Sequence, residues 1–226
     1  MMPEFLEQVM PCQNEFLRVD VIVSRKLDGN CYLVFDDQKM VVVDPSVSYE
    51  EVMKHKSLPI SAILITHGHI DHFYGLASYI NRGIKVYLHR HAFSKLNDPK
   101  KNYSFYFNQE VALDLSNWEH EFVHDQMLIP IFSQPFRVLE TPGHSNCSVC
   151  FLIQDKMFSG DTIFKNNIGR TDLYSGNLAK MLDSLDKINN LNLNYLIYPG
   201  HGPMTTLFEE KNENANLLRR ANGKNS

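Results

Sequence analysis

Four β-type runs in this 226-residue chain each end on a histidine or an aspartate. "AILITH" ends on His67, "VLETPGH" on His144, "MFSGD" on Asp161 and "LIYPGH" on His201. Glycine or proline stands beside every one of them, in "HGH", "PGHS", "SGD" and "PGHGP". Such neighbours allow a sharp turn that aims a side chain inward at a fixed angle. Few folds use this pattern. It fits an α/β fold that gathers several strand ends at one place, where loops on a rigid base build a site.

The first run continues into "THGHIDH", three histidines and one aspartate within the six positions from His67 to His72. Counting His67, His69, Asp71, His72, His144, Asp161 and His201, seven candidate donors accumulate. A zinc ion takes four or five ligands, so seven donors suit two ions that share a carboxylate. Asp71 and His72 are adjacent, and from an extended or turn backbone two adjacent side chains do not easily reach one point. Imidazole and carboxylate without thiolate suit zinc, iron(II), manganese or cobalt. The helical H-E-x-x-H zinc motif does not apply, because these residues follow a β-type run and include Gly68.

Bulk properties narrow the partners. With 43% hydrophobic and 21% charged residues the chain is of ordinary globular type, and no apolar run approaches the ~20 residues that cross a bilayer. A net charge of −4 speaks against a nucleic-acid binder working through a broad basic surface. The basic groups in "DPKKN" and "LLRR" read as solvated loop or helix ends. "MMPEFLEQVMPCQNEF" lacks the charged-then-apolar layout of a secretory signal, so a cytoplasmic protein is expected, with no membrane partner. Cys12, Cys31, Cys147 and Cys150 read as reduced thiols; Cys147 and Cys150 form C-x-x-C inside an apolar run and read as buried small hydrophobes.

Along the chain, "FLRVDVIV", "NCYLVFD" and "MVVVDP" predict an antiparallel meander, with Asp28-Gly29 between the first two. Ser48 and Glu51 form a capping-box start for a helix that Leu58-Pro59 closes. "HFYGLASYINR" reads as a helix from His72 to Arg82, and "KVYLH" as a strand. Residues 92–127 are the least periodic and read as an insertion with short helical turns, its "YSFYF" as packing or else as a substrate wall. Strands follow at "FRVLETPG", "SVCFLI" and "KMFSGD", then a helix over "NLAKMLDSLDKINNL", a strand "YLIYPGH" and a helix from about Thr206. One α/β domain over residues 1–226, two sheets covered by helices, is the economical architecture.

Taken in order, "THGHIDH", "TPGHS", "SGDTIF", "IGRTDL" and "YPGHGPMTT" resemble the metallo-β-lactamase-fold hydrolase superfamily and, within it, the glyoxalase II (hydroxyacylglutathione hydrolase)-like group of short bacterial type. The match runs from about Asn30 to Asn214. It implies an αββα sandwich, two mixed β-sheets flanked by helices, with the site at one edge. By motif, His67, His69 and His144 would hold one metal, Asp71, His72 and His201 the other, and Asp161 would bridge.

The cofactors implied are two divalent ions, zinc first, with iron or manganese as alternatives. The reaction implied is metal-assisted hydrolysis of a small-molecule thioester, Asp71 also orienting the attacking hydroxide. Substrate-binding residues expected are Arg170, facing a substrate carboxylate or else paired with Asp172, and Tyr174, Lys165, Asn166 and Asn167. About 25 residues follow His201, too few for the helical region with which longer glyoxalase II enzymes bind glutathione. Antibiotic hydrolysis is not expected, because Asp161 stands where the zinc β-lactamases usually carry cysteine. Competing expectations are a persulfide dioxygenase with one iron, a lactone or phosphodiester hydrolase, and a non-catalytic metal-binding role. His55, His89, His91, His120 and His124 match no ligand motif and read as surface or supporting residues.

Overall fold

The computed structural model describes residues 16–218. Cys12, Arg219, Arg220 and the residues before Phe16 lie outside that range. The first sheet takes its strands in chain order: β1 (Arg18–Val23), β2 (Asn30–Phe35), β3 (Met40–Val43), β4 (Ile60–Ile65), β5 (Lys85–His89) and β6 (His120–Val123). The first three pair antiparallel, as the meander predicts, and β3 to β6 run parallel. Between them lie α1 (Tyr49–His55), α2 (Ile70–Phe73) and α3 (Arg90–Leu96).

The second sheet contains β7 (Leu128–Ile129), β8 (Phe136–Glu140), β9 (Val149–Ile153) and β10 (Lys156–Gly160). A small hairpin of β11 (Ile163–Phe164) and β12 (Asn167–Ile168) follows, then α4 (Leu178–Asn189). β13 (Leu196–Pro199) joins β10 in parallel, β14 (Thr205–Thr206) closes that edge, and α5 (Leu207–Glu213) comes last.

Period-two alternation explains the layering. Tyr32, Val34, Val41, Val43, Ala62 and Leu64 point from the first sheet into one cluster with Val149, Phe151, Ile153 and Phe158 of the second. The opposite faces, with Leu33, Met40, Val42, Ile63 and Ile65 on one side and Cys150, Leu152 and Met157 on the other, pack under helices. Helix, sheet, sheet and helix make the αββα sandwich that the motifs implied.

Local signals act as expected where they are short-range. Ser48 and Glu51 form the capping box of α1, and Thr206 with Glu209 forms another at α5. The predicted helix from His72 to Arg82 is broken: α2 stops at Phe73 and a 3-10 turn covers Leu76–Tyr79. The Gly75 N–H donates to the Pro45 carbonyl at 2.9 Å and not along a helix, and a Cβ there would sit 1.9 Å from the Val47 carbonyl oxygen, so the close approach requires glycine. The 92–127 region is likewise more than an insertion, since it contributes β6 to the first sheet. β6 is a short, half-exposed edge strand, so its composition carries little apolar signal.

Candidate metal centre

The donor-bearing strand ends meet because of strand direction. β4 runs parallel to β3 and β5, and β8 runs the same way as β10 and β13, so their carboxyl ends share one edge of the sandwich. The Val149 N–H donates to the Thr66 carbonyl at 2.9 Å and ties the two sheets at that edge. Gly200 is required by close approach: a Cβ would stand 2.2 Å from Asp161 Oδ1 and 2.5 Å from His72 Cε1. Gly160, at φ +48°, passes Thr66 with the same lack of room, its Cβ position 2.4 Å from Oγ1.

All seven sequence-predicted donors come together. His67, His69, His72, His144 and Asp161 are buried, and Asp71 and His201 are half-buried at the rim. Three overlapping groups of ligand atoms lie within 4.8 Å of one another: His67, His69 and His144; His67, His72 and Asp161; and Asp71, His72 and His201. In the first group the His69 Nδ1 is 3.1 Å from His67 Nε2 and 2.9 Å from His144 Nε2. In the third the His201 Nε2 is 3.0 Å from Asp71 Oδ2. Asp161 lies between them, Oδ2 being 3.5 Å from His144 Nε2 and 3.8 Å from His201 Nε2. Adjacent Asp71 and His72 reach one place because they sit on the helical turn of α2, not on an extended backbone.

Hydrogen bonds behind the rings set the tautomers. Thr66 Oγ1 donates to Asp44 Oδ2 at 2.7 Å and so accepts from His67 Nδ1 at 3.2 Å. His72 Nδ1 donates to Asp44 Oδ2 at 2.8 Å, His144 Nδ1 to the Arg170 carbonyl at 2.9 Å, and His201 Nδ1 to the Asp28 carbonyl at 2.9 Å. Four imidazoles therefore turn Nε2 toward the centre. The buried His72 Nε2 and Asp161 Oδ1 stand 3.2 Å apart with no aligned hydrogen-bond partner. Converging lone pairs and carboxylate oxygens repel one another, and a divalent cation among them removes that repulsion. The donor set fits metal ions.

Electrostatics divide the donors. Burial, then the neighbouring imidazoles, holds His67 well below its ordinary pKa; burial and the His144 ring do the same for His69. His144 is lowered mainly by burial. Burial opposes a charge on His72, but Asp161, Asp71 and Asp44 outweigh it and raise the ring. His201 is also raised, its Asp71 hydrogen bond and Asp161 outweighing burial. Burial disfavours the charge on Asp161, yet His72, His144 and His201 hold this carboxyl below the usual range.

A cleft of about 400 Å³ opens over the donors. His69, Asp71, His144, Asp161 and His201 form its floor, and Arg170 stands on its wall. The Arg170 Nε and Nη2 donate to Asp172 Oδ1 and Oδ2 at 2.7 and 2.8 Å, so the salt bridge is present on a residue that also lines the cleft. Tyr174, Lys165, Asn166 and Asn167 do not line the cleft. Lys165, Asn166 and Asn167 are exposed around the β11–β12 turn, and the Asn166 N–H donates to Glu210. Tyr174 is half-exposed, and its N–H donates to the Tyr103 hydroxyl. Of the two readings of the aromatic stretch, packing and wall, the structure shows wall, through Tyr103, Tyr106 and Phe107.

Asp44 is the supporting residue that the sequence reading passed over. It is 2% exposed at φ +52°, and accepts from the Thr66 N–H as well as from Thr66 Oγ1 and His72. Its signal was the "VVVDP" run, one more strand ending in an acid. Cys147 and Cys150 are free and buried in different core clusters, Cys147 under the first sheet's helices and Cys150 under the second's. The five remaining histidines fall in none of the three donor groups; His55 pairs with Asp20 at 3.2 Å and His89 with Glu140 at 3.5 Å.

An αββα sandwich with imidazole and carboxylate donors clustered at one sheet edge defines a metal-dependent enzyme. The Metallo-beta-lactamase superfamily profile matches residues 25–201, and the chain belongs to that superfamily as a metal-dependent hydrolase. A probable metallo-hydrolase of Streptococcus pyogenes is 31% identical over 195 residues, covering 82% of this chain and 84% of its own. Hydroxyacylglutathione hydrolase GloC of Haemophilus influenzae is 28% identical over 211 residues, with 88% and 97% covered. Among solved structures, the BLEG-1 B3 metallo-beta-lactamase superposes with a TM-score of 0.81 at 31% identity, covering 88% of this chain and 99% of that one. Among the described residues no helix is long and apolar enough to cross a membrane.

Proposed function

We propose that this chain is a binuclear thioesterase that cleaves a hydroxyacyl-thiol conjugate. The observation that carries the reading is the position of Asp161, within 3.8 Å of donors from both histidine groups. Likeness to GloC supports the substrate class. His67, His69 and His144 would hold one ion, Asp71, His72 and His201 the other, and Asp161 would serve both. Bound divalent ions supply a water acidic enough to ionise near neutral pH and a Lewis acid for the substrate carbonyl.

The protein's own part is orientation. Thr66, Asp44 and the carbonyls of Arg170 and Asp28 fix four rings with Nε2 inward, so little rearrangement is needed when substrate arrives. We assign Asp71, at the cleft floor and 3.0 Å from His201, the further task of orienting the attacking water. The cleft wall shields the reacting bond from bulk solvent, and a thiolate departs without a dedicated proton donor.

The persulfide dioxygenase reading needs one three-residue iron site and leaves the group of Asp71, His72 and His201 without a task. The B3 β-lactamase likeness makes a chromogenic β-lactam the second substrate to assay, because that relative covers most of the chain. The decisive experiment is metal content per chain with thiol release from lactoylglutathione. Two ions and thiol release are expected, and His69→Ala and His72→Ala should each weaken a different ion. One ion with oxygen consumption on a persulfide would overturn the reading, as would unimpaired thiol release by Asp161→Ala.

A further inference from the structure

The cleft over the donors is walled mainly by carbon. Tyr103, Tyr106, Phe107, Phe164 and Leu173 line it. Tyr106 is 66% exposed and Phe107 55%, on a single 3-10 turn flanked by Tyr103 and Asn108 in the left-handed region. Large rings are thus offered to solvent at the mouth of the site.

Positive charge is scarce there. Among the described residues that line the cleft, Arg170 carries the one permanent positive charge, and Asp172 accepts from its Nε and Nη2. Nearby lysines are engaged as well: the buried Lys95 donates Nζ to Ser175 Oγ at 2.8 Å, and Lys101 pairs with Asp98 at 2.7 Å. Two further lining groups, Asp71 and Asp161, are acids. A peptide thiol such as glutathione carries two carboxylates. Against these walls, away from the ions at the floor, a carboxylate loses hydration and meets only an arginine already paired with Asp172, whereas an uncharged ring or alkyl chain gains from the same contact.

We propose that the cleft selects ligands whose thiol half is uncharged and apolar over those built on carboxylated peptide thiols. This rests on the thioesterase reading of the same site. Asp172 offsets the charge of Arg170, so an incoming carboxylate must compete with it for the guanidinium. The aromatic turn at Tyr106 and Phe107 supplies the surface that an apolar thiol covers.

Two measurements on the metal-loaded full chain keep the two readings separate. In the first, one lactoyl group is carried on glutathione or on benzyl thiol, and kcat/KM is expected to favour the benzyl thioester by about tenfold or more. Equal or better cleavage of the glutathione conjugate overturns the proposal and leaves the thioesterase reading standing. In the second, uncleavable thioethers with the same two thiol halves are titrated calorimetrically, and the benzyl compound is expected to bind about tenfold tighter. If no thioester is cleaved, the thioesterase reading falls and the thioether preference alone decides the proposal.

Asp172→Asn tests this competition. Freeing the Arg170 fork should raise kcat/KM for the glutathione conjugate by about threefold to fivefold, with the benzyl thioester little changed. An unaltered ratio in that variant refutes the part given to the pair.

Discussion

Replacing Asp44 by asparagine alters the second histidine group without touching any donor. Asp44 Oδ1 accepts the Thr66 N–H at 2.7 Å, and Oδ2 accepts both Thr66 Oγ1 at 2.7 Å and His72 Nδ1 at 2.8 Å. An amide keeps the first bond, but its NH2 group then faces two donors. The threonine hydroxyl can turn and accept. His72 can accept only by moving its proton to Nε2, which points it at Asp161 Oδ1, 3.2 Å away. A ring protonated there is no longer a ligand.

The cost follows from the bonds exchanged. Three charge-assisted bonds of about 1.5–3 kcal/mol give way to neutral ones of about 0.5–1.5 kcal/mol, so the fold should lose about 3–4.5 kcal/mol. Removing such a ligand support weakens metal binding by about 10–100-fold, or about 1.4–2.7 kcal/mol. His67 keeps its bond to Thr66 Oγ1, so the first group should change little. Calorimetric titration of metal-free Asp44→Asn, with a urea melt of the same sample, reads both quantities. Two ions held as tightly as in the parent chain, or equal weakening of both, would refute the tautomer reasoning.

Gly200→Ala places a methyl carbon 2.2 Å from Asp161 Oδ1, and should cost at least about 100-fold in activity with far-ultraviolet circular dichroism unchanged. Loading the two groups should differ in proton release: His67, His69 and His144 are held toward the neutral form that binds a metal, whereas His72 and His201 are shifted toward the protonated form. Titrations in buffers of different ionisation enthalpy near pH 7 should therefore show more protons leaving with the second ion than with the first. Burial pushes the Cys150 thiol from 9.0 to about 11. Between those values the unfolded chain has lost a proton that the folded one keeps, so stability falls as pH rises, by up to about 3 kcal/mol across the window. Urea midpoints from pH 8 to 11 should fall less steeply in Cys150→Ala.

The donors were legible because metal chemistry restricts residue type, and because His67, His144, Asp161 and His201 each follow an apolar run and border glycine. Strands buried on both faces, such as β2 and β9, announce themselves by nearly continuous apolar sequence. What stayed hidden depends on distant contacts. Gly75 leaves a helical pattern by bonding to the Pro45 carbonyl, with Val47 against it, and a strand-ending Asp44-Pro45 reads as a turn until Thr66 and His72 are brought to it. The aromatic wall is invisible for the same reason: nothing local says whether Tyr106 and Phe107 face a core or a cleft.

The donors divide unequally along the chain. His67, His69, Asp71 and His72 come from one stretch of the first half, but the first group is completed by His144 and the third by His201. A growing polypeptide that has emerged only as far as the first sheet therefore carries two incomplete chelates. Cations can be captured firmly only after the second sheet has been made and docked. Metal uptake should then trail synthesis, and an ion-loaded protein is one whose two halves have already met.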